Sequence, residues 1–130
     1  MRAIGQNHVR RILWVDDKPS NNKTLQNALI KKNMQIDIAC TTEKGLELYE
    51  QNLYDLIITD MGRGEKNDAG IDLLKGLKRM QNHVPVIVYT ARSAILNYGD
   101  QAKKLGAAVT NKREILLEFI SDKLKTRVSV

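Results

Sequence analysis

The sequence predicts an α/β fold: a doubly wound, five-stranded parallel sheet with helices on both faces. Three observations lead to this prediction. Short, nearly continuous apolar runs recur along the 130 residues, and such runs indicate strands buried on both faces of a sheet. Segments with helical spacing of apolar residues separate these runs. No repeat, linker or low-complexity stretch interrupts the alternation, so right-handed crossovers between parallel strands are expected.

The first strand is predicted at residues 12–15, where four apolar residues are followed by Asp16 and Asp17. A helix is expected next, because Pro19 stands where a first helical turn needs no backbone N–H. Residues 34–39 alternate between apolar and polar side chains, which predicts the second strand.

The second helix has a capping residue in Thr41 or Thr42, since a threonine hydroxyl can accept from a free N–H of the first turn. The third strand is predicted at residues 54–59. A polar, glycine-containing loop follows at 62–69, and Gly70 leads into the third helix. The sequence therefore predicts a polar loop between the third strand and the third helix.

Val84 and Pro85 open the fourth predicted strand, where proline is tolerated at the first position, and Thr90 follows its apolar run. The next helix ends at Gly106. A short fifth strand at 107–110 and a last helix at 114–124 complete the five predicted strands and five helices.

Composition indicates a single domain covering residues 1–130, with a core at about 11–124. Hydrophobic residues make up 42% and charged residues 28%, and no apolar run approaches the length of about 20 residues that crosses a bilayer. A single cysteine, Cys40, and a start without a signal-peptide core favour the cytoplasm. The net charge of +6 is spread along the chain, so we expect an acidic protein partner and no direct binding to nucleic acid or membrane.

The acids are predicted to form one site. In the flavodoxin-like strand order 2-1-3-4-5 the first and third strands are neighbours, which places Asp16, Asp17 and Asp60 side by side and Thr90 one strand further along. Carboxylates without histidine or cysteine suit Mg²⁺ first and Mn²⁺ second. A carboxylate here can also act as a nucleophile and form an aspartyl-phosphate. The hydroxyl of Thr90 and the ammonium of Lys112 would then stabilise the phosphoryl oxygens.

These residues match a known pattern. Over about residues 11–124 the chain resembles the receiver domain of two-component response regulators. The matching segments are Ile-Leu-Trp-Val-Asp-Asp-Lys-Pro around Asp16, Asp-Leu-Ile-Ile-Thr-Asp-Met ending at 61, Gly-Ile-Asp-Leu-Leu from Gly70, Pro-Val-Ile-Val-Tyr-Thr-Ala ending at Ala91, and Leu-Gly-Ala ending at 107.

The resemblance implies a role for each site residue. Asp60 would accept a phosphoryl group from a histidine kinase or phosphotransfer protein, Thr90 would be the switch hydroxyl, and the small side chain of Ala91 would leave room for the phosphoryl group. Mg²⁺ would be held by Asp17 directly, by Asp16 through water, by Asp60 and by the backbone carbonyl of Gly62. The module would signal to a downstream protein effector, with no enzymatic activity beyond phosphorylation and dephosphorylation of its own aspartate.

The chain also departs from that family. The loop between Asp60 and Gly70 is longer than usual, and the fifth strand lacks both the usual Lys-Pro pair and the usual aromatic residue. Either Lys112 or Asn111 can occupy the family's lysine position, and Asn111 with Glu114 also has the spacing of a helix cap.

Two other functions stay open at this point. A pseudo-receiver would keep the fold and act as an interaction module without phosphorylation. A Mg²⁺-dependent phosphatase is the weaker alternative, because a second acid is expected two residues after its nucleophile and Gly62 occupies that position.

Overall fold

The computed structural model describes residues 9–126 and 128. Five parallel strands form one sheet in the order β2-β1-β3-β4-β5, which confirms the predicted fold and strand order. The strands are β1 (Arg10–Val15), β2 (Met34–Ala39), β3 (Leu56–Thr59), β4 (Val86–Tyr89) and β5 (Ala108–Thr110).

Within the part of the chain that the structure describes, five α-helices connect and follow the strands. They are α1 (Lys23–Lys31), α2 (Thr42–Gln51), α3 (Ala69–Arg79), α4 (Arg92–Lys104) and α5 (Arg113–Leu124). The first helical segment differs from the prediction, because Pro19–Asn22 is a 3-10 turn and the α-helix begins only after it. Thr41 is the cap of α2, with its Oγ1 accepting from the backbone N–H of Lys44.

The core has two layers, one on each face of the sheet. Alternate residues of a buried strand point to opposite faces, so Leu13 and Val15 pack with α2, α3 and α4, whereas Ile12 and Trp14 pack with α1 and α5. All four side chains are at most 1% exposed. Burial on both faces explains why these strands are continuously apolar. Within the described residues, none of the helices combines the length and apolar character needed to cross a membrane.

The strand register sets the position of the polar residues that follow the strands. Val15 of β1 pairs with Thr59 of β3, so the next residues, Asp16 and Asp60, emerge side by side at the carboxyl edge of the sheet. Thr59 in turn pairs with Val88 of β4. Ligands bind at this edge in open α/β sheets, where the strand order reverses.

The start of α3 lies against the end of β3. The backbone N–H of Gly70 donates to the carbonyl oxygen of Met61 at 2.7 Å. A Cβ atom on Gly70 would lie 2.6 Å from the backbone oxygen of Asp60, which is too close for any side chain. Glycine at this position therefore allows the loop of residues 61–68 to close over the sheet edge.

Candidate functional site

Three acids converge at the carboxyl edge of β1 and β3. One carboxylate oxygen from each of Asp16, Asp17 and Asp60 lies within 4.8 Å of the other two. Backbone hydrogen bonds hold two of them in place. The N–H of Asp16 donates to the carbonyl oxygen of Ala39 at 2.9 Å, and the N–H of Asp60 donates to the carbonyl oxygen of Val15 at 3.1 Å. The structure thus brings together the acids that the sequence predicted to be neighbours.

Neighbouring groups orient the first two acids. Both carboxylate oxygens of Asp16 accept hydrogen bonds, one from the backbone N–H of Lys18 at 2.8 Å and one from the side-chain amide of Asn22 at 3.2 Å. The carboxylate of Asp17 accepts from the backbone N–H of Gly64 at 2.8 Å. Residues that follow β1 and β3 therefore contribute donors to the same cluster.

The third acid is paired with a buried arginine. Nη1 of Arg63 donates to Oδ1 of Asp60 at 2.5 Å, and the two side chains are 5% and 13% exposed. Nη1 also donates to Oγ1 of Thr59 at 3.0 Å, while Nη2 donates to the hydroxyl of Thr42 and to the carbonyl of Ala69 at 3.0 Å. One guanidinium thus joins the end of β3 to the first residues of α2 and α3.

Burial raises the pKa of Asp60 to about 7. The guanidinium of Arg63 favours the charged carboxylate and lowers the pKa, whereas the neighbouring charge of Asp16 raises it. Desolvation and like-charge repulsion together outweigh the arginine. Without a metal ion, the charged form of Asp60 is therefore less favoured than that of an ordinary aspartate.

A pocket of ≈ 340 Å³ opens over the acids. Besides the three acids, it is lined by the predicted site residues Gly62, Thr90 and Ala91 and by residues the prediction did not include, namely Lys18, Asn21, Asn22, Gly64 and Tyr89. The hydroxyl and the small side chain expected beside a phosphoryl group are thus both at the pocket wall. Its lining is rich in donors and acidic oxygens, which suits a small, charged ligand.

Lys112 lies outside this lining. It is the N-cap residue of α5, its side chain is exposed, and its backbone N–H donates to Oγ1 of Thr110 at 3.0 Å. Asn111 is exposed as well. The cap expected at Asn111 is therefore one residue further on, because the hydroxyl of Thr110 takes the Lys112 amide and the helix starts after it. Neither candidate for the lysine position lines the pocket in this structure.

Among the site residues that the sequence did not predict are Arg63, which pairs with Asp60, and Tyr89, which lines the pocket. Arg63 lies in the polar loop after the third strand. The feature of the sequence that could have identified it is its position between two glycines, three residues after Asp60. Tyr89 belongs to the apolar run of the fourth predicted strand, but it is only half-buried and lines the pocket. It is the last residue of β4, at the carboxyl edge of the sheet, where the helices no longer bury the strand completely.

The chain matches the family model of the response regulator receiver domain over residues 12–114. It is 31% identical over 83 residues to the transcriptional regulatory protein DltR of Streptococcus agalactiae, covering 64% of this chain and 36% of that protein. It is 30% identical over 116 residues to the uncharacterized transcriptional regulatory protein YcbL of Bacillus subtilis, covering 89% of this chain and 48% of that protein. The chain spans half or less of the length of these relatives.

Solved structures show the same fold. A response regulator receiver domain protein from Clostridium thermocellum superimposes with a TM-score of 0.75 at 24% identity, over 90% of this chain and 95% of that one. The response regulator protein TrrA from Thermotoga maritima, in complex with Mg²⁺ and a beryllium fluoride, superimposes with a TM-score of 0.71 at 25% identity, over 89% of this chain and 99% of that one.

Proposed function

Because this chain belongs to the family of response regulator receiver domains, we propose that it is a phosphoacceptor module that takes a phosphoryl group on Asp60. The observation that carries the proposal is the convergence of Asp16 and Asp17 on Asp60 at the edge where β1 and β3 meet. Like charges held this close disfavour full ionisation, so a cluster of three acids calls for a cation. The receiver family binds Mg²⁺ at such an acidic pocket, and phosphorylation of an aspartate is standard for it.

The residues present fit Mg²⁺, which prefers oxygen ligands and is often held by one or two carboxylates. We propose that Asp17, Asp60 and the backbone carbonyl of Gly62 hold the ion, with Asp16 acting through water. When bound, the ion neutralises charge on the acids and on the phosphoryl oxygens. Mn²⁺ suits the same oxygen ligands. That the related TrrA was solved with Mg²⁺ and a beryllium fluoride supports this assignment.

The transfer itself is a displacement at phosphorus. A carboxylate oxygen of Asp60 forms a new bond to phosphorus, and the bond from phosphorus to the donor's leaving group breaks with the electron pair going to that group. In a histidine kinase or phosphotransfer protein the leaving group is an imidazole. A downstream protein effector then reads the phosphorylated state.

Two side chains are proposed to contact the bound phosphoryl group. The hydroxyl of Thr90 donates to one of its oxygens, and the small side chain of Ala91 leaves room for it. Lys112 is proposed to turn toward the group once it is bound. Tyr89 of β4 pairs with Thr110 of β5, so Thr90 and Lys112, which follow these two residues, leave the sheet at neighbouring strand ends. Phosphate adds negative charge and strong acceptors, and these attract both donors.

The test uses a small phosphodonor such as acetyl phosphate with Mg²⁺, followed by intact-mass measurement. We expect one added phosphoryl group on the wild-type chain and none without Mg²⁺. The Asp60→Asn variant keeps the size of the side chain and should not be labelled. Undiminished labelling of that variant would contradict the assignment of Asp60.

A receiver-like interaction module that works without phosphorylation is the second candidate. It is favoured by the ion pair in which Arg63 already occupies Oδ1 of Asp60 and by the exposed position of Lys112. The same labelling experiment separates the two functions. A wild-type chain that no phosphodonor labels would favour the interaction module.

A further inference from the structure

We propose that Arg63 is the positioning residue of the phosphoacceptor: its guanidinium holds Oδ1 of Asp60, leaves Oδ2 as the attacking atom, and competes with Mg²⁺ for the cluster. The part of this inference that concerns phosphoryl transfer rests on the proposed function. The part that concerns Mg²⁺ affinity does not.

The contacts of Arg63 select one oxygen of the acid. Of its four acceptors, only Asp60 is charged, while Thr59, Thr42 and Ala69 offer neutral oxygens. The hydrogen bonds to the neutral oxygens fix the plane of the guanidinium. Because the N–H groups of a guanidinium lie in that plane, its orientation also sets the direction of the N–H that faces Asp60. That N–H donates to Oδ1 at 2.5 Å. The carboxylate can then no longer rotate freely, and its other oxygen is the one left for chemistry.

The same loop also holds a second acid. The backbone N–H and C=O of Arg63 both bond to Lys66, at 2.9 and 3.0 Å, and Gly64 within this turn has φ +57°. A left-handed residue is easily provided by glycine. This turn directs the N–H of Gly64 to Asp17 while the side chain of Arg63 enters the site. The lengthened loop, which is the main departure of this chain from its family, thus provides donors to two of the three acids.

Charge gives Arg63 two opposite effects. A fixed cation beside Asp60 repels a second cation, so it weakens Mg²⁺ binding without excluding the ion. The same cation holds the nucleophile in one orientation and stabilises negative charge that develops near it during transfer. Removing the guanidinium should therefore tighten Mg²⁺ binding and slow phosphorylation. A variant that merely loosens the fold would weaken both.

The experiment measures the Kd for Mg²⁺ by NMR titration and the rate of phosphorylation by acetyl phosphate at saturating Mg²⁺. For Arg63→Met we expect a Kd lower by about tenfold, because one repelling charge is removed, and a rate lower by about 100-fold. Arg63→Lys keeps the charge but not the fork, so its Kd should stay close to that of the wild type while its rate falls between the two. Should Arg63→Met not fold, Arg63→Gln keeps an amide donor without the charge and carries the same expectations.

The matched control is Lys66→Met, which removes one positive charge from the same loop. Lys66 is exposed and pairs with Asp68 and Asp72, both at 3.3 Å, so both quantities should stay within about twofold of the wild type. Equal or weaker Mg²⁺ binding in the neutral Arg63 variants, or an unchanged rate, would overturn the inference. If the wild type is not labelled at all, the proposed function and the transfer part fail together, while the Mg²⁺ titration still decides the competition part.

Discussion

Asp60 and Arg63 show how one residue sets the properties of another. The carboxylate is buried enough for its pKa to rise to about 7 despite a guanidinium 2.5 Å away. A buried arginine left without its counter-ion is strongly destabilising. We therefore expect a replacement of Asp60 to change the stability of the fold in two ways. Arg63 loses its counter-ion, and the pH-dependent contribution of the Asp60 carboxyl group is lost.

The titration can be isolated by its pH dependence. An unfolded aspartate loses its proton near pH 4, whereas the folded Asp60 keeps it to about pH 7, so the folded state binds more protons within this window. Stability contributed by the proton is thus present at low pH and lost as the pH rises. The orphaned arginine adds a cost that does not depend on pH.

The measurement is the free energy of unfolding of the metal-free wild type and of Asp60→Asn between about pH 4.5 and 8. This range includes most of the window of about pH 4 to 7 that separates the pKa of an unfolded aspartate from the pKa of folded Asp60. Relative to the variant, the free energy of unfolding of the wild type should fall by up to about 1.4 kcal/mol for each unit by which the pH rises inside this window. The difference should level off above it. Parallel curves for the two proteins would contradict the raised pKa.

Among the structural elements, α4 is a weakly buried helix that begins two residues after Thr90. Of its 13 residues only Gly99 and Ala102 are buried, whereas seven of the 11 residues of α3 are buried. Its N-cap residue, Ala91, makes no side-chain capping bond, and Leu96 on its surface is 73% exposed. Elements with few buried contacts open at lower free energy than the core does.

Phosphorylation should therefore act mainly on the start of α4. Addition of beryllofluoride with Mg²⁺ should shift the backbone amide signals of residues 91–97 more than those of β5 or α5, since β5 carries no aromatic side chain to couple to Thr90. A switch of this kind biases an existing equilibrium. We further expect the exposed face formed by α4, β5 and α5 to be the surface that an effector binds. Shifts of equal size across β5 and α5 would contradict a restricted switch.

At the scale of the whole molecule, the sequence was sufficient to predict the fold. Runs such as residues 12–15 are apolar throughout because both faces of the sheet are covered, and the strand order follows from the alternation of strands and helices. The clustering of Asp16, Asp17 and Asp60 followed from that order alone. The acids could be located because each comes directly after a buried strand.

The loop after β3 could not be predicted in the same way. The position of Arg63 depends on the turn from Arg63 to Lys66 and on acceptors in two helices, Thr42 and Ala69. Such contacts join residues distant in sequence and follow no period. The start of α5 could not be settled from the sequence for a related reason, because the hydroxyl of Thr110 accepts the backbone N–H of Lys112.

We propose that Asp60, and neither Asp16 nor Asp17, becomes phosphorylated. The most direct test treats the chain with acetyl phosphate and Mg²⁺, reduces the acyl phosphate with borohydride to an alcohol, and locates the modified residue by peptide mass spectrometry. We expect conversion of residue 60 alone, dependent on Mg²⁺. Modification of Asp16 or Asp17 instead, or no modification of the wild-type chain, would contradict it.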